Sequence, residues 1–177
     1  MRLLRIAVIV MSVVFGLFIL VGLMLPNRIE VARSVEVDVP PPEVFALVDD
    51  LRAFNRWSPW TAVGTRYDFD GPDSGVGARM SWRSDDPEAG AGTQEIVVSR
   101  PNEEVAMRLD FGPQGMAQAA FLLEPADRGT QVTWTFAYEV GNDLIGRYIG
   151  QIMKGMVGEK YEEGLARLKR LAETGNV

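Results

Sequence analysis

Histidine and cysteine are both absent from the 177 residues. Their absence excludes Ser-His-Asp and Cys-His catalysis, thiolate chemistry and disulfides, and it argues against a zinc or copper site. It also removes the one side chain that titrates near neutral pH without perturbation. Acid–base work would fall to a carboxylate, lysine or tyrosine with a displaced pKa. Lysine is scarce: 3 lysines and 15 arginines are scattered among 24 acids, for a net charge of −6. Gripping a phosphate backbone takes a basic stripe. The sequence has none, so nucleic acid is not an expected partner. No motif asks for a metal or a cofactor. Repeats and low-complexity tracts are also missing. With 47% hydrophobic residues the chain is too apolar for disorder.

What is present begins with an apolar run, IAVIVMSVVFGLFILVGLML, at residues 6–25. Twenty residues at about 1.5 Å rise span roughly 30 Å, the thickness of a hydrocarbon core. A helix satisfies its own backbone there. A cleaved signal peptide has a shorter apolar core and a small-x-small cleavage site; the ending GLMLPN lacks one. Residues 1–26 are therefore expected to be a transmembrane anchor, a single pass in the cell membrane. Arg2 and Arg5 precede the run and Arg28 and Arg33 follow it. The slight bias toward a cytoplasmic N-terminus places the domain of residues 27–177 outside the cytoplasm.

That domain is long enough to bury about two thirds of its unfolded surface. Val35 to Val39 alternates apolar and polar, as a half-buried strand does. Pro40-Pro41-Pro42 stops it and opens a helix through Leu51, with Glu43 favourable to the helix dipole. A second short helix covers Arg52 to Trp57, and Pro59 ends it. Strands follow at Ala78-Met80-Trp82, Val105 to Phe111 and Val132 to Val140, each with a large apolar face. Gly92 to Arg100 and Met116 to Pro125 are further strands whose phase the pattern leaves open. Turns such as Gly71-Pro72-Asp73-Ser74-Gly75 join them into an antiparallel meander. The last 35 residues are helical, with Tyr161, Leu165, Leu168, Leu171 and Ala172 on one stripe. Gly146, Gly150, Gly155 and Gly158 each cost about 1 kcal/mol in a helix interior. They imply a break near Gly155–Gly158 or a close approach to the sheet. The fold class is α+β: a curved antiparallel sheet wrapped around a long C-terminal helix, with two short helices after the first strand.

This order of elements resembles the START/SRPBCC helix-grip superfamily, in its polyketide cyclase/dehydrase-like branch. The residues that carry the resemblance are Pro40-Pro41-Pro42-Glu43-Val44-Phe45, Phe54-Asn55-Arg56-Trp57-Ser58-Pro59-Trp60, Gly71-Pro72 with Gly75-Val76-Gly77, Val132-Thr133-Trp134, and Gly164 to Lys169. It covers about 150 residues, everything after the apolar run. It implies an elongated cavity between sheet and helix that takes hydrophobic or amphipathic small molecules. No catalytic residue of such an enzyme maps onto a matching motif here.

The candidate cavity lining is Trp57, Trp60, Met80, Trp82, Met107, Leu109, Trp134, Phe136 and Tyr138, with Met153, Met156 and Tyr161 as the opposite wall. The same faces could equally form a solid core; methionines and aromatics suit an adaptable apolar site. Trp57 and Trp60 are either a structural plug or the edges of the cavity mouth. A motif shared by members with different ligands favours the plug. Gly75-Val76-Gly77 lacks the GxGxxG pattern and precedes a strand, so it is turn chemistry. The acid pairs Asp49-Asp50, Asp85-Asp86 and Glu103-Glu104 are expected to be solvated, and Arg108 to face solvent. Three functions stay open. The first is a membrane-tethered binding or carrier domain for a hydrophobic small molecule or lipid. The second is a polyketide cyclase/dehydratase-like enzyme using Tyr138 or Tyr161 with an inward carboxylate, Glu95 if the phase of its strand is reversed. The third is a ligand-free interaction module.

Overall fold

The computed structural model describes residues 2–61, 64–85, 90–141 and 143–176; Asp86 of the second acid pair lies outside them. The apolar run forms helix α1, Arg2–Met24, with only Gly22 buried. It is the one described helix long and apolar enough to cross a membrane.

Strand β1, Arg28–Val37, begins seven residues before the alternation at Val35 suggests. Ile29 and Val31 face inward, but so does Arg33, which breaks the apolar pattern. Helix α2, Pro41–Val48, carries proline in its first turn, where no N–H is needed. It stops three residues short of Leu51 because Asp50 is extended and caps helix α3, Leu51–Trp57. The Asp50 carboxylate accepts from the backbone N–H of Arg52 at 2.7 Å and of Ala53 at 3.3 Å. Asp49 is not solvated either. It is buried, and the Ser99 hydroxyl donates to it at 2.7 Å.

Six strands follow: β2 Arg66–Asp70, β3 Arg79–Arg83, β4 Ala91–Arg100, β5 Glu104–Asp110, β6 Met116–Ala126 and β7 Gly129–Glu139. With β1 they make one antiparallel sheet in the order β1-β7-β6-β5-β4-β3-β2. The sequence pattern shows six of the seven strands; β2 is the addition. Its Tyr67 and Phe69 are only half-buried, between exposed Arg66, Asp68 and Asp70. The uncertain phase of β4 has a cause. The pairing with β5 shifts register between Ile96 and Val98, a bulge that changes which side chains face in.

Helix α4, Leu144–Thr174, runs unbroken for 31 residues and packs chiefly on β1. Asp143 caps its start and Gly175, in the left-handed conformation, closes its end. There is no break at Gly155–Gly158; close approach is the correct alternative for three of the four glycines in that stretch. A Cβ on Gly146 would lie 2.8 Å from Val140, on Gly150 2.7 Å from Ile29, and on Gly158 2.5 Å from the Arg33 guanidinium. Arg33 in turn donates to Glu162 at 2.6 Å, which explains an arginine on the inner face of β1.

Candidate functional site

One end of the interior is packed solid. Trp57 has no solvent exposure, and its indole N–H donates to the Leu47 carbonyl at 3.1 Å. Its ring meets Phe54, Phe121 and Trp134 edge-on at 4.9, 5.6 and 5.5 Å between centroids. Aromatic edge-to-face contact of this kind adds to the area each ring buries. Trp57 therefore closes the fold and does not line the cavity, contrary to its place among the candidate lining residues. Gly164 lets the helix sit on this cluster: a Cβ there would fall 2.8 Å from Trp134 and 2.9 Å from Pro59.

Beyond the cluster the interior is hollow. A cavity of about 650 Å³ lies between α4 and the inner face of the sheet, within the ordinary range for small-molecule sites. The hollow exists partly because β6 presents small side chains. Ala117 and Ala119 point inward opposite Leu109 and Met107 on β5 and Tyr138 and Phe136 on β7. Met80, Trp82, Met107, Leu109, Trp134, Phe136 and Tyr138 form the sheet wall; Met153, Met156 and Tyr161 form the helix wall; Trp60 stands at the rim, 39% exposed. Tyr161 stacks flat on Trp134, centroids 3.7 Å apart and planes 12° apart.

The wall also contains residues absent from the candidate lining, among them Tyr67, Gln94, Phe111, Gln114, Ala119, Ile149 and Val157. Phe111 continues the apolar alternation of β5 and was legible on that basis. Gln94 was not, because it stands between polar Thr93 and Glu95, where no apolar alternation marks an inward face. Tyr67 sits on the strand that the sequence conceals.

Lining residues among those described include no carboxylate, lysine or arginine. Glu95 points outward instead, where Arg79 and Arg108 each donate to it at 2.9 Å. Those hydrogen bonds hold its carboxyl below the usual value. The enzyme reading thus loses its candidate inward acid. Burial pushes the Tyr161 phenol far up, so it is neutral and unsuited to act as a base. Tyr138 donates its hydroxyl to the Gln114 carbonyl, which ties the 3₁₀ turn Gly112–Gln114 to the sheet. The described residues hold no cluster of acids able to ligate a metal.

A sheet of seven antiparallel strands gripping one long helix over an apolar hollow defines a helix-grip domain of the SRPBCC class. The sequence places it more narrowly. Residues 28–173 match the profile of the family described as polyketide cyclase / dehydrase and lipid transport, and the chain belongs to that family. Among solved structures, the Aha1 dimer from Colwellia psychrerythraea is similar at 18% identity and a TM-score of 0.61, covering 84% of this chain and 99% of its own. Protein SA2116 from Staphylococcus aureus is similar at 13% identity and a TM-score of 0.66, with 84% and 95% covered. Protein MLL2253 from Mesorhizobium loti is similar at 16% identity and 0.60, with 84% and 99% covered. These likenesses are of fold. No curated protein matches the sequence.

Proposed function

We propose that this protein is a membrane-tethered binding or carrier domain for a hydrophobic small molecule or lipid. The observation that carries the reading is the 650 Å³ cavity, walled by aromatic, methionine and aliphatic side chains. A folded interior is normally packed with few voids larger than a water molecule. A hollow of this size is expensive unless something fills it, because large apolar cavities destabilise in proportion to their volume. Gln94, Gln114, Asn55 and the tyrosines on the wall offer a few polar contacts, as small-molecule sites do.

Helix α1 supplies the tether. Nearly every large side chain along it is exposed; the start of α4 touches only its C-terminal end near Phe18 and Gly22, and a bilayer satisfies the rest. Residues 1–26 form the anchor and residues 27–177 the binding domain, held on the extracytoplasmic side. Tethering raises the effective concentration of the cavity beside a membrane-dissolved guest without any new contact. The direct test is mass spectrometry of organic extracts from the purified full chain, compared with Ala119→Phe, which fills the hollow from β6. A stoichiometric apolar molecule in the wild-type extract that is lost in the variant supports the reading. No difference between the two extracts refutes it.

A further inference from the structure

Helix α1 does not simply leave the domain; it is docked on the start of α4. Phe18 stacks on Tyr148 with centroids 4.5 Å apart and planes 7° apart. The Tyr148 hydroxyl donates to the Phe18 carbonyl at 2.6 Å. Gly22 receives Leu144 and Tyr148 so closely that a Cβ would lie 2.8 Å and 2.9 Å from them. Arg147 donates to the carbonyls of Gly22, Leu23 and Leu25 at 3.2 to 3.4 Å, covering the open C-terminal end of α1.

These contacts fix a depth. Phe18 lies six residues before the end of α1 at Met24, about 9 Å along a helix axis. Whatever touches Phe18 and Gly22 shares their level. If α1 spans a bilayer, the first two turns of α4 lie within it. The surface of α4 agrees. Ile145, Ile149, Ile152 and Met156 recur at helical spacing on one face, and they are 63, 51, 67 and 53% exposed. No acid occurs between Asp143 and Glu159, whereas Arg147 and Lys154 do, a charge balance that suits an anionic headgroup layer. Ile149 and Met156 also line the cavity, so the exposed stripe and the hollow share a boundary.

We propose that the first half of α4, Leu144 to Met156, is seated in the bilayer surface and forms a sill through which the cavity opens onto hydrocarbon. A lipid-soluble guest then passes between membrane and cavity without crossing water. This rests on the tether reading above and adds the route and the class of guest.

The chain's lack of cysteine allows clean single-site spin labelling of the full protein in vesicles of phosphatidylcholine and phosphatidylglycerol. Labels at Val13→Cys, Ile145→Cys and Ile152→Cys are compared with Asp127→Cys. Asp127 lies in the exposed turn between β6 and β7, beyond the Val37–Thr130 end of a ladder whose other end is Arg28–Glu139 beside the membrane. Collision with oxygen reports lipid; collision with a nickel chelate reports water. Oxygen-dominated signals at 13, 145 and 152, with a nickel-dominated signal at 127, support the sill. A nickel-dominated signal at 152 with lipid around 13 overturns the sill and leaves the tether standing. Water around 13 overturns both. Shielding of 152 from both reagents, as a protein partner or second copy would cause, also overturns the sill. A second readout uses Ile152→Glu, which does not line the cavity. A charge at lipid depth opposes seating by about a hundredfold. Transfer of a nitrobenzoxadiazole-labelled fatty acid from vesicles to the protein is expected to slow tenfold or more, with uptake from detergent micelles retained. An unchanged vesicle rate overturns the proposal.

Discussion

Replacing Trp57 by alanine separates the two tryptophans of the NRWSPW stretch by role. Trp57 is fully buried and touches three other aromatic rings. Truncating a core tryptophan costs about 3–5 kcal/mol, a large share of the roughly 5–15 kcal/mol that holds a domain together. The lost indole donor adds a further penalty at the Leu47 carbonyl, about 1 kcal/mol for an unmade hydrogen bond. With a guanidinium m value of about 3 kcal/mol per molar, the unfolding midpoint should fall by about 1 M or more. Trp57→Phe keeps an aromatic plug but no donor and should fall by about half as much. Trp60→Ala, at a rim position 39% exposed, should move the midpoint by less than about 0.3 M, the equivalent of about 1 kcal/mol or less. It should instead weaken binding of an apolar fluorescent probe. The assay is far-UV circular dichroism of the full chain in detergent under guanidinium titration. If Trp57→Ala costs no more than Trp60→Ala, the assignment of Trp57 as the plug is wrong.

Other outcomes follow from the same geometry. Gly155→Ala should stabilise the protein by up to about 1 kcal/mol through helix propensity, since a Cβ there meets nothing within 4 Å. Gly164→Ala should destabilise it despite the same propensity gain. Its Cβ meets rigid Trp134 and Pro59 atoms under 3 Å away, and overpacking costs about 1–3 kcal/mol; paired melting curves decide the sign. Gly22→Leu should detach α1 from α4 because the cleft for Leu144 and Tyr148 closes, and spin labels on the two helices should report the separation. The Glu95 carboxyl should titrate below its ordinary value of 4.5 because Arg79 and Arg108 bond its charged form. Its folded pKa is depressed, so its contribution to stability is present above about 4.5 and lost as pH falls through the folded value. Glu95→Gln should therefore flatten the acid limb of the stability profile slightly, the pair being exposed and screened. An unshifted carboxyl resonance in an NMR titration would refute this.

The amino-acid sequence by itself determined the elements whose cause is local. The apolar run of residues 6–25, the proline-opened α2, the alternation in β3, β5 and β7, and the stripe from Tyr161 to Ala172 each satisfy a period of 3.6 or 2 without reference to anything distant. Element order then limited the architecture, because one apolar sheet face had one long amphipathic helix to cover it. Tertiary structure decided what depends on partners far apart in the chain. Strand β2 is held by its pairing with β3, since its own residues are half exposed. The inward turn of Gln94 and the outward turn of Glu95 follow from the pairing of β4 with both neighbours, which sets Gln94 opposite Met80 and Leu109 and Glu95 opposite Arg79 and Arg108. Trp57 and Trp60 look alike in sequence, and only the crossing of α3, β6, β7 and α4 sends one into the core and the other to the rim. Whether inward apolar faces meet or leave a hollow depends on summed side-chain volume across facing elements. Two alanines on β6 and the close approach of α4 at Gly146, Gly150 and Gly158 settle that volume only when strand and helix are brought together.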